Sequence, residues 1–306
     1  MSSIANALST NRRLRDNVQG YVFILPWIVG FLAFTLIPMI TSFYISFTRY
    51  NLISEPIYVG LRNFRFLLQD ARHLQSIRVT ITYVLTAVPL RLVFALAVAM
   101  FLVQRRRFIG VYRLVYYLPS IVGTSVGIAV VWREFFGRGG PIAYVITVLT
   151  GEPFNLSLVG LPSTAIWTVI ALYVWQFGSS MLIFLAGLKN IPDTLYESAI
   201  IDGAGSITKF FRITLPMLTP VLLFNIVMQT IHGFMVFTQV IIITGGGPID
   251  STLVYVLYMY RRAFEFYDMG TASAMALLLF VALSLVVLVI FKTSNRWVYY
   301  ESGEGK

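Results

Sequence analysis

Long apolar runs dominate this sequence. Of its 306 residues, 58% are hydrophobic and only 12% are charged, whereas soluble domains average about 45–50% apolar and about 25% charged residues. A helix needs about 20 apolar residues to cross the hydrocarbon core of a bilayer, and several runs here reach that length. Because backbone polar groups in lipid have to be satisfied internally, such runs predict transmembrane helices.

Six spans are predicted. They cover roughly 21–47, 77–103, 112–134, 163–188, 217–243 and 270–291. The chain is therefore expected to be an all-α membrane protein with a six-helix domain over 21–291, an N-terminal segment at 1–20 and a tail at 292–306. The first apolar run is longer than a signal-peptide core and has no small-residue cleavage site, so we expect it to be retained.

The distribution of Lys and Arg predicts that both termini are cytoplasmic. Thirteen of these residues fall on the side of the termini and nine on the opposite side. The cluster Arg105–Arg107 carries the most weight, because positive charge in short loops sets orientation. The net charge of +10 is accordingly attributed to topology and not to nucleic-acid binding, since no soluble basic domain is predicted.

Residue types that perform catalysis are scarce. The chain has no Cys and only two His, which excludes thiol chemistry and leaves too few His for a His-built metal site. It lacks the GxxxxGK[ST] phosphate loop, and its spans contain almost no titratable groups besides Arg91 and His232. An intramembrane enzyme is thus disfavoured. A secondary carrier or channel is the remote alternative, because neither internal repeats nor further spans are evident.

A polar segment, YESAIIDGAGSITKFFRITLP at 196–216, separates the fourth and fifth spans. Thr194 and Glu197 have the spacing of a capping box that would start a short helix at about 194–201. Gly203 suits the left-handed conformation that ends a helix, and Ser206 suits the cap of a second short helix. Two short helices joined by a glycine elbow are predicted. They form either a structured connection without a partner or a docking surface for a cytoplasmic protein.

The same segment resembles the signature loop of permease subunits of binding-protein-dependent ABC importers. The family pattern is Glu-Ala-Ala, three residues, Gly, nine residues, then Ile-x-Leu-Pro. The matching residues are Glu197, Ser198, Ala199, Gly203, Ile213, Leu215 and Pro216, with Ser198 in place of Ala. Further segments resemble the carbohydrate branch, in particular its first, maltose/glycerol-phosphate-transporter-type permease: FILPWIVGFLAFTLIPMITSFYISFTRYN, GLRNFRFLLQD, LAGLKNIPDTLYESAIIDGAG, TGGGP and AFEFYDMGTASA. The resemblance extends over nearly the whole chain.

The resemblance implies a type I importer permease with defined partners. Loop 189–216 would insert its coupling helix into a cleft on a cytoplasmic ATPase subunit. The residues implied for that coupling are Glu197, Ser198, Ala199, Asp202, Gly203, Ile213, Leu215 and Pro216. The importer would contain a second permease, two ATPase subunits that bind ATP and Mg²⁺, and an extracytoplasmic solute-binding protein. This chain itself would be a non-catalytic, cofactor-free, multi-pass protein in the lipid of a bacterial or archaeal inner or plasma membrane.

Polar residues within the spans are the candidates for a sugar pathway, because polar groups are costly in lipid. The resemblance carries over Ser120, Thr124, Tyr173, Gln176, His232 and Gly233. Asn225, Gln229 and His232 share one face of the fifth span, and they either bond neighbouring helices or recognise sugar hydroxyls.

Arg91 lies near the centre of the second span, where a charge costs about 2.5–3.5 kcal/mol on insertion scales. Arg91 is expected to pair with one of two kinds of partner. The first is a carboxylate or helix-end carbonyls of the companion permease, and the second is an anionic saccharide or sugar phosphate. The expected cargo is a di- or oligosaccharide. The alternative within the same family is an anionic saccharide or a polyol phosphate.

Overall fold

A computed structural model describes residues 19–104 and 108–299. The chain divides into two compact units, Met1–Phe66 with Arg262–Leu277, and Leu67–Arg261 with Leu278–Lys306. Three parts of the predicted organisation lie outside the described residues: nearly all of the N-terminal segment, the cluster 105–107 and the end of the tail. The predicted orientation depends on the basic residues of these parts.

The first unit contains the N-terminal helix, a short hairpin and the beginning of the last helix. Its complete elements are α1 (Gln19–Ile45), β1 (Thr48–Arg49) and β2 (Ile57–Tyr58). Helix α1 includes a π-helical stretch at Leu32–Leu36, and none of its most apolar window is buried within the described chain. The strands β1 and β2 pair antiparallel, and helix α2 (Arg62–Gln69) follows them across the unit boundary.

The second unit contains most of the helices. They are α3 (Ala71–Val103), α4 (Ile109–Val122), α5 (Val126–Phe136), α6 (Pro141–Thr150), α7 (Ala165–Trp175), α8 (Gly178–Lys189), α9 (Asp193–Ile201), α10 (Ser206–Phe234), α11 (Thr238–Ile243) and α12 (Tyr255–Tyr260). The last helix, α13 (Met269–Ser294), begins in the first unit and ends in the second.

Four helices of the described chain, α1, α3, α10 and α13, are long and apolar enough to cross a membrane, and two bent pairs bring the number to six. The segments predicted as continuous spans at 112–134 and 163–188 are both broken. Helix α4 meets the next helical segment at 94°, and α7 meets α8 at 42°. The first break falls at Gly123, and Ser125 starts the following helix by accepting a bond from the Ile128 N–H (3.3 Å).

Helix α3 forms the centre of the second unit, where it packs against α7, α8 and α10. Three alanines spaced by multiples of four, Ala87, Ala95 and Ala99, are completely buried on one face. Small side chains let neighbouring helices approach closely, which is how membrane helices gain packing energy in the absence of a hydrophobic drive. Arg91 occupies the remaining position of the same face.

The contact between α4 and α8 leaves no room for a side chain at Gly178. A Cβ there would lie 2.7 Å from the Tyr116 carbonyl oxygen and 2.8 Å from the Tyr117 Cα. Gly127, near the start of α5, has no atom within 4 Å of the corresponding position. An alanine substitution at Gly178 therefore reports on close packing, whereas the same substitution at Gly127 reports on helix propensity alone.

We expect Gly178→Ala to destabilise the chain by about 1–3 kcal/mol, because overpacking against backbone atoms forces the two helices apart. Gly127→Ala is the matched control and should be neutral or slightly stabilising, since Ala is the better helix former. Thermal unfolding of the purified chain in detergent measures both. Equal unfolding midpoints for the two variants would show that α4 and α8 do not pack as described.

Candidate functional site

The first part of loop 189–216 is helix α9, which begins one residue earlier than predicted. Its N-cap is Pro192, with no side-chain hydrogen bond at the cap. The predicted capping box of Thr194 and Glu197 is therefore wrong. The backbone is extended at Pro192 and the helix begins at the next residue, so Thr194 is already helical. The Thr194 carbonyl accepts a bond from Ser198 Oγ (2.9 Å). Asp193 lies in the first turn, where a carboxylate interacts favourably with the helix dipole.

The predicted glycine elbow is present. Gly203 has a φ of +73° and follows the last turn of α9. The Ala204 N–H donates to the Ala199 carbonyl (2.8 Å), and the Gly203 N–H donates to the Ile200 carbonyl (3.0 Å). These two bonds form a Schellman motif, which satisfies carbonyls at the end of the helix.

The second predicted short helix is not a separate element. Ser206 is its first residue and not its cap, which is Gly205. The helix continues without interruption through a π-helical stretch, Phe210–Thr214, into the rest of α10. A proline ring clashes with the carbonyl four residues earlier in a regular helix. The wider turn, in which the Leu215 N–H donates to the Phe210 carbonyl, carries the helix past Pro216.

A side-chain hydrogen bond fastens α9 to α10. The hydroxyls of Tyr196 and Thr214 are 2.9 Å apart, and Thr214 is buried. Ile191, just before α9, is buried as well. Loop 189–216 is therefore held in shape by the bond between Tyr196 and Thr214 and has two buried residues, Ile191 and Thr214.

The exposed surface of the same loop contains several large apolar side chains. Ile201 is 86% exposed, Ile207 is 76% exposed, and Ile200 and Phe211 are also exposed. The motif residues divide into two groups: Glu197, Ser198, Asp202 and Gly203 are exposed, whereas Ala199, Ile213, Leu215 and Pro216 are half-buried. Apolar side chains grouped on an exposed surface are typical of a protein interaction site.

Two of the candidate pathway residues join the broken helices. Gln176 Nε2 donates to the Gly123 carbonyl (2.8 Å), and Ser120 Oγ donates to the Gln176 carbonyl (2.8 Å). Ser120 Oγ also accepts a bond from the Ser179 N–H (3.1 Å). Residues at each break thus provide hydrogen-bond partners for backbone groups at the other break. In this conformation Ser120 and Gln176 support the breaks.

A second cluster surrounds Arg91. Arg91 is 6% exposed, its Nη2 donates to Ser179 Oγ (3.2 Å), and its guanidinium carbon lies 4.4 Å from the centroid of the Tyr173 ring. The Tyr173 hydroxyl donates to the Gln229 carbonyl (2.9 Å) and to its Oε1 (3.0 Å). Within this chain Arg91 contacts α7 through Tyr173 and α8 through Ser179, and its Nε is buried without a hydrogen bond in the described residues. A partner in the companion permease and an anionic cargo both stay predictions.

The remaining candidates do not join these clusters. Thr124 and His232 are exposed. Gly233 is buried, and a Cβ there would lie 3.3 Å from side-chain atoms of Val84 and Val88. Asn225, Gln229 and His232 all lie on α10. The first two are buried, whereas His232 is exposed in the last turn of the helix.

Sequence reasoning missed the residues that complete both clusters. Ser179 bonds Arg91 with its side chain and Ser120 with its backbone. Tyr83 packs edge-on against Tyr173, with ring centroids 5.8 Å apart. A Gly-Ser-Ser sequence within an apolar run was the available signal, because small polar residues often mark close helix contacts. Among the described residues, no group of His, Asp and Glu could hold a metal ion.

The chain is similar to known transport proteins along most of its length. Residues 70–299 match the family model described as binding-protein-dependent transport system inner membrane component. The chain is 50% identical to a probable ABC transporter permease protein, YesP, of Bacillus subtilis, over 98% of each chain. It is 33% identical to the trehalose/maltose transport system permease protein MalF of Thermococcus litoralis, over 95% of this chain and 98% of the relative.

A solved structure shares the fold. One chain of the bacterial alginate ABC transporter, crystallised in complex with an alginate pentasaccharide-bound periplasmic protein, has a TM-score of 0.81 to this chain. The identity is 22%, and the match covers 93% of this chain and 96% of the other. The similarity confirms the predicted helical membrane fold.

We expect Tyr173→Phe to lower stability by about 1–3 kcal/mol, because it leaves the buried Oε1 of Gln229 without the Tyr173 donor. Tyr144→Phe is the control, since Tyr144 is exposed and its hydroxyl can bond solvent or lipid headgroups. Thermal unfolding compares the two variants with the parent. Identical midpoints would mean that the Tyr173 bond to Gln229 contributes nothing.

Proposed function

The chain belongs to the family of binding-protein-dependent transport system inner membrane components, and from that premise we propose that it is a permease subunit of an ATP-driven importer of di- or oligosaccharides. As a member of this family it is a multi-pass inner-membrane protein and a non-catalytic component of the transporter. The sugar class is supported by the trehalose/maltose permease and by the alginate transporter, to which the chain is similar. An acidic saccharide or a polyol phosphate is the alternative cargo.

The loop 189–216 carries the proposal for energy coupling. It is folded, anchored through Tyr196 and Thr214, and covered with exposed apolar side chains such as Ile201 and Ile207. A surface of this kind supports docking into a cleft of a cytoplasmic ATPase subunit. Exposed Glu197, Ser198, Asp202 and Gly203 would contact the ATPase, and half-buried Ala199, Ile213, Leu215 and Pro216 would keep the loop in shape.

Helix α10 provides the route from this loop into the membrane. Thr214 bonds Tyr196 of α9, and Gln229 accepts a bond from Tyr173. Both Thr214 and Gln229 lie on α10. At 1.5 Å per residue, about 22 Å of helix separates them. A displacement of the loop by ATP-driven closure of the ATPase pair would therefore shift Gln229 relative to Tyr173 and Arg91.

The full importer would contain more than this chain. Six spans form half of a pathway, so a second, related permease would complete it, and two ATPase subunits would bind ATP and Mg²⁺. A solute-binding protein delivers cargo in this family. Both termini and loop 189–216 would be cytoplasmic, which places the hairpin β1–β2 and helix α2 outside.

Among the candidate pathway residues, the accessible side chains are Thr124 and His232, and we assign them to contact with the passing sugar. Ser120, Gln176, Gln229 and Gly233 would act through helix packing. Arg91 is buried and engaged with Ser179 and Tyr173. Its position therefore favours a role in the helix cluster over attraction of an anionic cargo.

Glu197→Lys should disrupt docking, because it reverses the charge of an exposed motif residue without touching the packed face of α9. In proteoliposomes that contain the assembled importer, we expect ATP-dependent sugar uptake to fall at least about tenfold, the effect of about 1.4 kcal/mol. The ATPase subunits should also be lost during purification of the complex.

Glu152→Lys makes the same charge change at an exposed residue in the connection after α6, and it should leave uptake unchanged. Normal uptake by the Glu197→Lys importer, with its ATPase subunits retained, would remove the basis for the docking proposal. An equal loss in both variants would indicate a general effect of charge on the complex.

A further inference from the structure

A polar pocket of about 500 Å³ lies within the first unit. The hairpin β1–β2, helix α2 and the segment before α13 surround it. Its lining combines basic side chains with aromatic rings, an uncommon composition for a chain in which only 12% of residues are charged. The proposed coupling through loop 189–216 and α10 involves none of the residues that line this pocket.

The walls of the pocket are held by buried hydrogen bonds. Asn63 Nδ2 donates to the carbonyls of Ser46 (2.9 Å) and Thr48 (2.8 Å). The Met269 N–H donates to the Tyr50 carbonyl (2.9 Å), and a Cβ at Gly270 would collide with the Thr48 carbonyl oxygen. Hairpin, helix α2 and the start of α13 are thus fastened to one another, so the pocket is preformed.

Three arginines and one acid give the pocket a positive charge. Arg49, Arg62 and Arg262 line it together with Asp268. Asp268 is engaged, since its Oδ1 accepts from the Thr271 N–H (3.2 Å) and its Oδ2 lies 3.9 Å from Arg262 Nη1. Arg49 and Arg62 are exposed, and neither forms an ion pair with any residue in the ranges 19–104 and 108–299.

Aromatic rings form the apolar part of the pocket. The guanidinium of Arg262 lies between two of them, 4.7 Å from the Phe66 centroid and 5.6 Å from the Phe266 centroid. Tyr50 and Tyr267 also line the pocket. Flat apolar rings next to guanidinium groups present both the stacking surface and the hydrogen-bond donors that a ligand with an apolar face and an anionic edge requires.

Asn51, which also lines the pocket, provides a donor for a hydroxyl group. Asn51 Oδ1 accepts bonds from the Ser54 N–H (2.9 Å) and from Ser54 Oγ (2.7 Å). This fixes the orientation of the Asn51 side chain and leaves its Nδ2 to donate to a ligand. The volume lies within the range of small-molecule sites, about 300–1,000 Å³, and greatly exceeds the size of one inorganic anion.

We infer that this pocket binds a uronic acid unit of an acidic oligosaccharide. Arg49 and Arg62 would pair with the sugar carboxylate, for which the guanidinium fork is the matching donor. The aromatic rings would stack on the C–H face of the sugar ring, and Asn51 would donate to a hydroxyl. The inference rests on the proposed sugar importer and on its orientation, which together make the pocket an extracytoplasmic contact for cargo.

The test measures binding to the full chain in nanodiscs of zwitterionic lipid by isothermal titration calorimetry. The probes are a disaccharide of uronic acids, its methyl ester and inorganic phosphate. We expect the diuronate to bind and the ester to bind at least about tenfold more weakly, because the ester has no charge for the arginines. Arg49→Gln and Arg62→Gln should each weaken diuronate binding about tenfold.

Arg65→Gln is the matched control, because Arg65 is exposed on α2, one turn from Arg62, and does not line the pocket. It should bind the diuronate like the parent. Thermal unfolding midpoints identify any variant that is misfolded. One correctly folded variant, either Arg49→Gln or Arg62→Gln, is enough to decide the test.

Four results would overturn the inference: no diuronate binding by the parent, equal binding of acid and ester, equal losses in Arg62→Gln and Arg65→Gln, or phosphate binding as tight as that of the diuronate. The last would identify a general anion or lipid-headgroup site. Sugar uptake by the assembled importer is measured separately. Uptake of neutral sugar without diuronate binding would therefore refute this inference and leave the proposed function intact.

Discussion

The fold of the second unit depends on an exchange of hydrogen bonds between two broken helices. A break in a membrane helix exposes backbone groups that lipid cannot satisfy. Here the side chain of Gln176 reaches the Gly123 carbonyl, while Ser120 reaches the Gln176 carbonyl and accepts from the Ser179 N–H. Because each break provides the partners of the other, the two have to form together. Close approach at Gly178 makes that geometry possible.

The same arrangement provides partners for a buried charged residue nearby. Ser179 belongs to the break and also accepts from Arg91, whose guanidinium stacks on Tyr173, and Tyr173 in turn donates to Gln229 of α10. Polar groups of four helices, α3, α7, α8 and α10, are thus linked in one cluster. Helix α10 continues from this cluster to loop 189–216, so a single continuous helix joins the polar interior and the proposed ATPase contact.

Local chemistry could be predicted from the sequence, and long-range partners could not. The left-handed Gly203 follows from glycine's freedom at positive φ, and the helical class follows from apolar run length. The capping box failed because Pro192 starts α9 earlier, and the second short helix failed because a π turn carries α10 past Pro216. The helix breaks and the partners of Arg91 depend on residues more than fifty positions apart, which no local pattern contains.

Cross-linking from Ile201 tests whether loop 189–216 contacts an ATPase subunit. Ile201 is the most exposed apolar residue of α9, so a photo-activated amino acid placed there samples what covers the loop. In native membranes that contain the assembled importer, a cross-link to the ATPase subunit is predicted, with a yield that changes when ATP binds. Ile53, equally exposed in the hairpin, serves as the control and should give none. Cross-links to lipid alone, or equal ATPase cross-linking from both positions, would contradict the account.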